Sequence, residues 1–132
     1  MIFRGEFLVI FDTYYTDRMV VPSSDTGLLL GAWTVGSYCY RAFPAIPYIA
    51  ITSASPASGK TTHLNLIAHT AYNAPPPGTQ PTAAVLFRRA EKTSGVQFFD
   101  EADKLVAAKD GEAVEIVNVL NSGYSRDAVN RR

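Results

Sequence analysis

Four apolar residues near the start of the chain are spaced as they would be on one face of a helix. That spacing, i, i+3, i+4 and i+7, is followed by Phe7, Ile10, Phe11 and Tyr14. The same run also has the aromatic and β-branched bias of a strand, so the pattern leaves helix and strand open. A second helix is predicted from a cap at Ser23, Ser24 or Asp25 to about Phe43, with Trp33 as its core anchor.

A near-continuous apolar run at 48–52 follows two prolines and predicts a parallel strand covered on both faces. Helical spacing returns past Thr61 and predicts a helix that runs to about Tyr72, and the proline-rich residues 73–81 predict a loop. Residues 82–91 fit a strand or a helix, and their apolar spacing favours a helix. A last helix, ending near 121–123, is predicted where the helical spacing recurs at Ala113, Ile116, Val117 and Leu120.

The predicted strand leads into a match to the phosphate-binding pattern G-x-x-x-x-G-K-[ST], the Walker A motif. Gly59, Lys60 and Thr61 match, and Ala54 stands where the first glycine is usual. In such a loop, backbone N–H groups cradle phosphates, the lysine reaches the β and γ phosphates, and the hydroxyl binds Mg²⁺. The residues predicted to bind the nucleotide are Ala54, Ser55, Pro56, Ala57, Ser58, Gly59, Lys60, Thr61 and Thr62.

A second motif, about 40 residues beyond Lys60, ends an apolar run with two carboxylates, as a Walker B strand does. We expect Asp100 to hold Mg²⁺ together with Thr61, and Glu101 to be the base that activates the attacking water. Glu101 and Lys60 are therefore the predicted catalytic residues. The alternative is that the two carboxylates form an exposed acidic turn after a core strand.

Composition and charge limit the other classes of function. With 132 residues, 47% of them hydrophobic, the chain suits one domain but is short for a complete P-loop ATPase. Its 12 basic and 12 acidic residues cancel, which excludes a global field for DNA, so that any DNA contact would be local. One cysteine and no leader-like or membrane-spanning segment predict a cytoplasmic protein.

These motifs give the chain a resemblance to a family of uncharacterised P-loop domains of phage and mobile-element proteins, often attached to primase- or helicase-like regions. The resemblance lies in residues 20–22, 58–61, 82–88, 99–103 and 120–124. It implies an α/β three-layer P-loop NTPase fold of the additional-strand type with a parallel sheet. It also implies ATP rather than GTP, helices at 7–15 and 82–91, and DNA or a replication protein as partner.

The chain departs from that family at its C-terminus, because it stops at Arg132, before the strand that would carry a polar sensor residue. We therefore expect the sheet to be incomplete at the C-terminus, with Arg126, Arg131 and Arg132 either as arginine-finger candidates or as a solvated basic tail. The letters Asp-Glu-Ala-Asp invite the DEAD-box helicases, but the two motifs are too close together for that class. No guanine-reading tetrad is present in the sequence, which weighs against a GTPase.

The predicted organisation is an N-terminal, mostly helical extension at 1–43, packed on a P-loop nucleotide-binding core at 44–132. The predicted function is Mg·ATP binding, with an ATPase linked to phage or mobile-element DNA replication or mobilisation as the enzyme. The alternative is an accessory protein that keeps the nucleotide cradle without turnover. A small-molecule P-loop kinase is disfavoured because no Arg-rich lid follows the second motif. The oligomeric state is left open.

Overall fold

The computed structural model describes residues 6–52, 58–79, 83–92, 94–100 and 111–123. Most of these residues are helical. The helices are α1 Glu6–Thr16, α2 Ser24–Tyr38, a short 3-10 helix at Tyr40–Ala42, α3 Lys60–Thr70, α4 Ala83–Lys92 and α5 Gly111–Gly123. The strands β1 Gly78–Thr79 and β2 Phe99–Asp100 pair in parallel, with Gly78 opposite Phe99 and Thr79 opposite Asp100.

The helices lie close to where the apolar spacing places them. The two runs for which the pattern allowed helix or strand are both helical, as α1 and α4. Of the three candidate caps, Ser23 is the N-cap of α2, with extended backbone at φ −148°. α2 ends at Tyr38 rather than near Phe43, because the chain tightens there into the 3-10 helix.

The predicted three-layer P-loop fold with a parallel sheet is wrong. Across the described ranges the strands are β1 and β2, of two residues each, which cannot form a sheet layer between helices. Segment 48–52, predicted as a strand covered on both faces, is in no strand. Its side chains alternate instead, with Ile49 and Ile51 packed on the core and residues 48, 50 and 52 exposed. An apolar run does not reveal whether a distant segment will pair with it.

Two glycines bring α1 and α2 close together. A Cβ on Gly27 would lie 2.7 Å from Thr16 Cγ2 and would also collide with the Asp12 carboxylate. A Cβ on Gly31 would lie 3.0 Å from Phe11 Cβ. Because neither glycine has a side chain, the two backbones approach more closely than ordinary side chains allow.

α3 packs against this helix pair and completes the core. The buried core residues are Tyr15, Met19, Leu30 and Ile67, and partly buried Trp33 and Phe98 pack against them. The Trp33 indole N–H also donates to the Pro47 carbonyl at 2.9 Å, which ties the 44–52 segment to α2. The helices of the predicted 1–43 unit thus share one core with α3. The division of the chain at residue 43 stays a prediction.

A buried chain of hydroxyl groups joins the three helices, and we call it the Tyr15 junction. Tyr15 on α1 and Thr34 on α2 are both 0% exposed. The Tyr15 hydroxyl lies 2.8 Å from Thr34 Oγ1 and 2.5 Å from Thr70 Oγ1 on α3. Thr70 donates its own hydrogen to the Ile67 carbonyl at 3.0 Å. Tyr15 therefore donates to Thr70 and accepts from Thr34, so that all three hydroxyls are satisfied.

Replacing Gly27 by alanine should destabilise the protein, whereas the same change at Gly36 should not. The new Cβ of Gly27→Ala meets Asp12 and Thr16, an overpacking that costs about 1–3 kcal/mol and exceeds the gain in helix propensity. Gly36 is in the same helix and a Cβ there meets nothing within 4 Å, so Gly36→Ala should stabilise by about 0.5–1 kcal/mol. Urea unfolding of both variants measures the difference, and equal effects would contradict the close α1–α2 approach.

Tyr15→Phe should destabilise the protein by about 1–2 kcal/mol, since it leaves buried hydroxyls without a partner. Burial raises the pKa of Tyr15. Its contribution to stability is therefore present below the unfolded pKa of about 10 and is lost as pH rises through the folded value. The advantage of wild type over Tyr15→Phe should accordingly shrink above pH about 10.

Tyr14→Phe is the matched control for this hydroxyl. The Tyr14 ring packs edge-on against Tyr15 at 5.3 Å, a contact that phenylalanine keeps. Its free energy of unfolding should change by less than about 0.5 kcal/mol. Urea unfolding across pH 8 to about 11 provides the measurement. A Tyr15→Phe variant as stable as Tyr14→Phe would argue against the junction.

Candidate functional site

α3 begins at a glycine with left-handed backbone. Gly59 is the N-cap residue, with φ +80°, a conformation that side-chain-bearing residues adopt only with strain. Its carbonyl accepts the first helical bond, from the His63 N–H at 2.9 Å. The N–H groups of the first helical turn have no partner within a helix, and the helix dipole places partial positive charge there. This end of α3 is therefore suited to an anion.

Lys60, Thr61 and Thr62 form the first turn of α3. The side chains of Thr61 and Thr62 are exposed, and that of Lys60 is half-buried. The arrangement places one fixed positive charge and two hydroxyls beside the N–H groups of the helix start. The exposed Ser58 precedes Gly59. Predicted nucleotide-binding residues Ala54, Ser55, Pro56 and Ala57 lie outside the described residues.

The Asp100 carboxylate lies against this first turn. The Thr61 hydroxyl donates to Asp100 Oδ2 at 2.9 Å, although the two residues are 39 apart in the sequence. The structure therefore brings together the two residues that the sequence analysis assigned to Mg²⁺. Glu101, the predicted base, lies outside the described residues.

The path of the chain explains how Asp100 reaches the start of α3. After α4 the chain returns to the far end of α3, where Val96 N–H donates to the Tyr72 carbonyl at 3.1 Å and Asn73 Nδ2 to the Ser94 carbonyl at 3.2 Å. From Val96 to Asp100 an extended chain rises about 13 Å. That rise is close to the ~16 Å that α3 needs to climb from Thr61 to Tyr72. The extended segment therefore delivers its last residue near Thr61.

Side-chain alternation then turns Asp100 toward α3. Phe98 packs against the Tyr15–Ile67 core, and Phe99 packs on the other side against Ile116 and Leu120 of α5. Successive residues of an extended chain point to opposite faces, so Asp100 shares the face of Phe98. The same alternation that buries two phenylalanines thus orients the carboxylate.

His63 is a further residue beside the start of α3, and the motifs in the sequence did not single it out. Its ring is half-buried, and Nδ1 lies 2.6 Å from the Gly59 carbonyl, so the imidazole N–H donates to that oxygen. His69 makes the same contact with Asn65 at 2.6 Å but is exposed. The four-residue spacing between Gly59 and His63 was the available signal, since residues so spaced lie on one helix face.

Two further arginines are on α4, where Arg88 is exposed and Arg89 is half-buried. Arg126, Arg131 and Arg132 fall outside the described residues. Within the described ranges, no three His, Cys, Asp or Glu residues come together as metal ligands. None of the described helices is long and apolar enough to cross a membrane.

Comparison with protein-family models, with curated proteins and with solved structures finds no match to this chain. The site therefore has to be interpreted from its own geometry.

Proposed function

We propose that the protein binds Mg·ATP at the start of α3. The observation that carries the proposal is the 2.9 Å contact between the Thr61 hydroxyl and the Asp100 carboxylate, beside the left-handed Gly59. A hydroxyl, a carboxylate, a lysine and the N–H groups of a helix start are the groups that phosphate chains and their metal ion require. A contact across 39 residues is also unlike the local hydrogen bonds that any helix end makes.

Electrostatics favours Mg·ATP over free ATP. A triphosphate near the first turn of α3 would be attracted by Lys60 and by the helix dipole but repelled by the Asp100 carboxylate. A divalent cation removes that repulsion. The Thr61 and Asp100 oxygens fit this requirement, because Mg²⁺ prefers oxygen ligands and keeps only one or two from the protein. Bound Mg²⁺ would neutralise charge on the phosphate oxygens.

Hydrolysis is the second part of the proposal. Glu101 directly follows Asp100 and is proposed as the base that deprotonates the attacking water. The wider role, an ATPase in the replication or mobilisation of phage or mobile-element DNA, is supported by the sequence resemblance alone. The competing proposal is an accessory protein that binds the nucleotide without turnover.

Lys60→Ala should abolish most binding of Mg·ATP, since it removes the fixed charge at the phosphate site. Calorimetric titration should show at least a ~10-fold weaker affinity, which corresponds to about 1.4 kcal/mol. Arg18→Ala, which removes an exposed charge just after α1, is the control and should bind as wild type does. Equal affinities for wild type and Lys60→Ala would exclude this site.

The same preparations separate an ATPase from an accessory protein. Steady-state phosphate release that falls in Glu101→Gln, with ATP affinity retained, would support turnover by this site. ATP binding without phosphate release would favour the accessory protein.

Asp100→Ala should abolish the dependence of ATP affinity on Mg²⁺. In wild type, removal of Mg²⁺ with a chelator should weaken binding, because the Asp100 carboxylate then faces the phosphates without a cation. Without Mg²⁺, the Asp100→Ala variant should bind ATP at least as tightly as wild type does, because the carboxylate that repels the phosphates is gone. Asp17→Ala, at the exposed position that follows α1, is the control. Wild-type affinity that ignores the chelator would contradict the assignment of Thr61 and Asp100 to Mg²⁺.

A further inference from the structure

A row of aromatic rings lies at the end of α3 opposite the phosphate site. The Tyr38 and Tyr72 ring centroids are 5.5 Å apart, and those of Tyr72 and Tyr40 are 6.0 Å apart. The Arg41 guanidinium carbon then lies 5.6 Å from the Tyr40 centroid. We call Tyr38, Tyr72, Tyr40 and Arg41 the tyrosine row.

Core packing does not account for the tyrosine row. Tyr38 is 56% exposed, Arg41 is exposed, and Tyr40 and Tyr72 are half-buried. None of the four belongs to the two hydrophobic clusters of the described residues. Yet the row is held in place, because the Tyr38 hydroxyl donates to the Thr70 carbonyl at 2.9 Å and Arg41 Nε donates to the Tyr40 hydroxyl at 3.0 Å. The rings are thus at least partly exposed, and hydrogen bonds hold two of them in place.

The charge near the row is mostly positive. Residues 26–90 contain no aspartate or glutamate, although the whole chain is neutral. The Tyr40 hydroxyl also hydrogen-bonds to Ser94, two residues after α4, whose last turn carries two basic residues, Arg89 and Lys92, and one acidic residue, Glu91. The hydrogen bond that Arg41 donates to the Tyr40 hydroxyl lowers the pKa of that group, and the bond with Ser94 lowers it further. Although the whole chain is neutral, the surface around the tyrosine row is therefore suited to an anion.

We propose that the tyrosine row is a binding site for single-stranded nucleic acid. Aromatic rings that are partly exposed and held in place can stack on unpaired bases. Arginine adds both cation–π attraction and affinity for the phosphate backbone. Bases in a duplex are already stacked and do not reach such rings. The absence of carboxylates from residues 26–90 complements a polyanion. An acidic peptide is the competing partner that the experiment has to separate.

This site is independent of the proposed nucleotide site. Tyr72 follows the last turn of α3 and Lys60 stands in its first, so that roughly 15 Å of helix separates them. Lys60→Ala should therefore abolish ATP binding and leave nucleic-acid binding intact. A failure of one proposal would not be mistaken for a failure of the other.

The test measures fluorescence anisotropy of a labelled oligodeoxythymidine of about 12 nucleotides, a length that single-strand sites span. Tyr40→Leu should weaken binding at least about 5-fold, because base–aromatic stacking contributes about 1–3 kcal/mol per base. Tyr40→Phe keeps the ring and should bind within about 2-fold of wild type. Since the phenylalanine variant also loses the hydroxyl bonds, a loss limited to leucine identifies stacking rather than local structure.

Arg41→Gln should weaken binding and reduce the salt dependence by about 0.7 in the slope of log K against log salt, the value for one phosphate on a single strand. Arg18→Gln is the matched control. Arg18 also lies over a tyrosine, with its guanidinium carbon 4.5 Å from the centroid of Tyr14, which is on α1 and not part of the row. That variant should retain both affinity and slope.

Three results would overturn the proposal. The first is no oligonucleotide binding by wild type at about 50 mM salt, where phosphate contacts are strongest. The second is equal loss in Arg41→Gln and Arg18→Gln. The third is that a glutamate-rich peptide competes with the oligonucleotide and binds as tightly as it does, to Tyr40→Leu as well as to wild type. That result would mean that charge alone, without stacking, accounts for binding at this surface.

Discussion

The Tyr15 hydroxyl joins three of the described helices. It belongs to α1 and is hydrogen-bonded to Thr34 of α2 and to Thr70 of α3, and Thr70 in turn donates to the Ile67 carbonyl. A buried hydroxyl without a partner costs more than a hydrogen bond gains, so an alternative packing of these helices would be penalised. The Tyr15 junction therefore selects one orientation of α3, and both candidate sites depend on that orientation.

α3 connects the two candidate sites. Its first turn carries Lys60 and Thr61, and Tyr72 of the tyrosine row follows its last. The segment after α4 is fastened beside that last turn through Asn73 and then extends back to place Asp100 at the first turn. Gly95 makes the fastening close, since a Cβ on it would collide with the Asn73 backbone. A shift of either end of the segment would separate Asp100 from Thr61.

What the sequence predicted well is what is local. The positions of the helices, among them the Ser23 cap of α2 and the helix that follows Gly59, depend on residues within one or two turns of each other. A single sequence carries that information. The prediction of a parallel sheet was wrong because strand pairing depends on a distant segment in register. The Tyr15 junction was not foreseen for the same reason. Nothing in the sequence around Tyr15, Thr34 or Thr70 indicates that three hydroxyls meet.

The position of Asp100 beside Thr61 was inferred from a motif whose usual setting is a sheet, yet the two residues meet here without one. The contact between Asp100 and Thr61 does not require the complete P-loop fold. It requires a left-handed glycine to start α3, a helix of suitable length, and an extended segment of matching rise fastened at the far end. Alternation of Phe98 and Phe99 then orients the carboxylate. The hydroxyl–carboxylate pair is therefore a consequence of local lengths and one anchor, and the proposal of Mg·ATP binding depends on those features rather than on a parallel sheet.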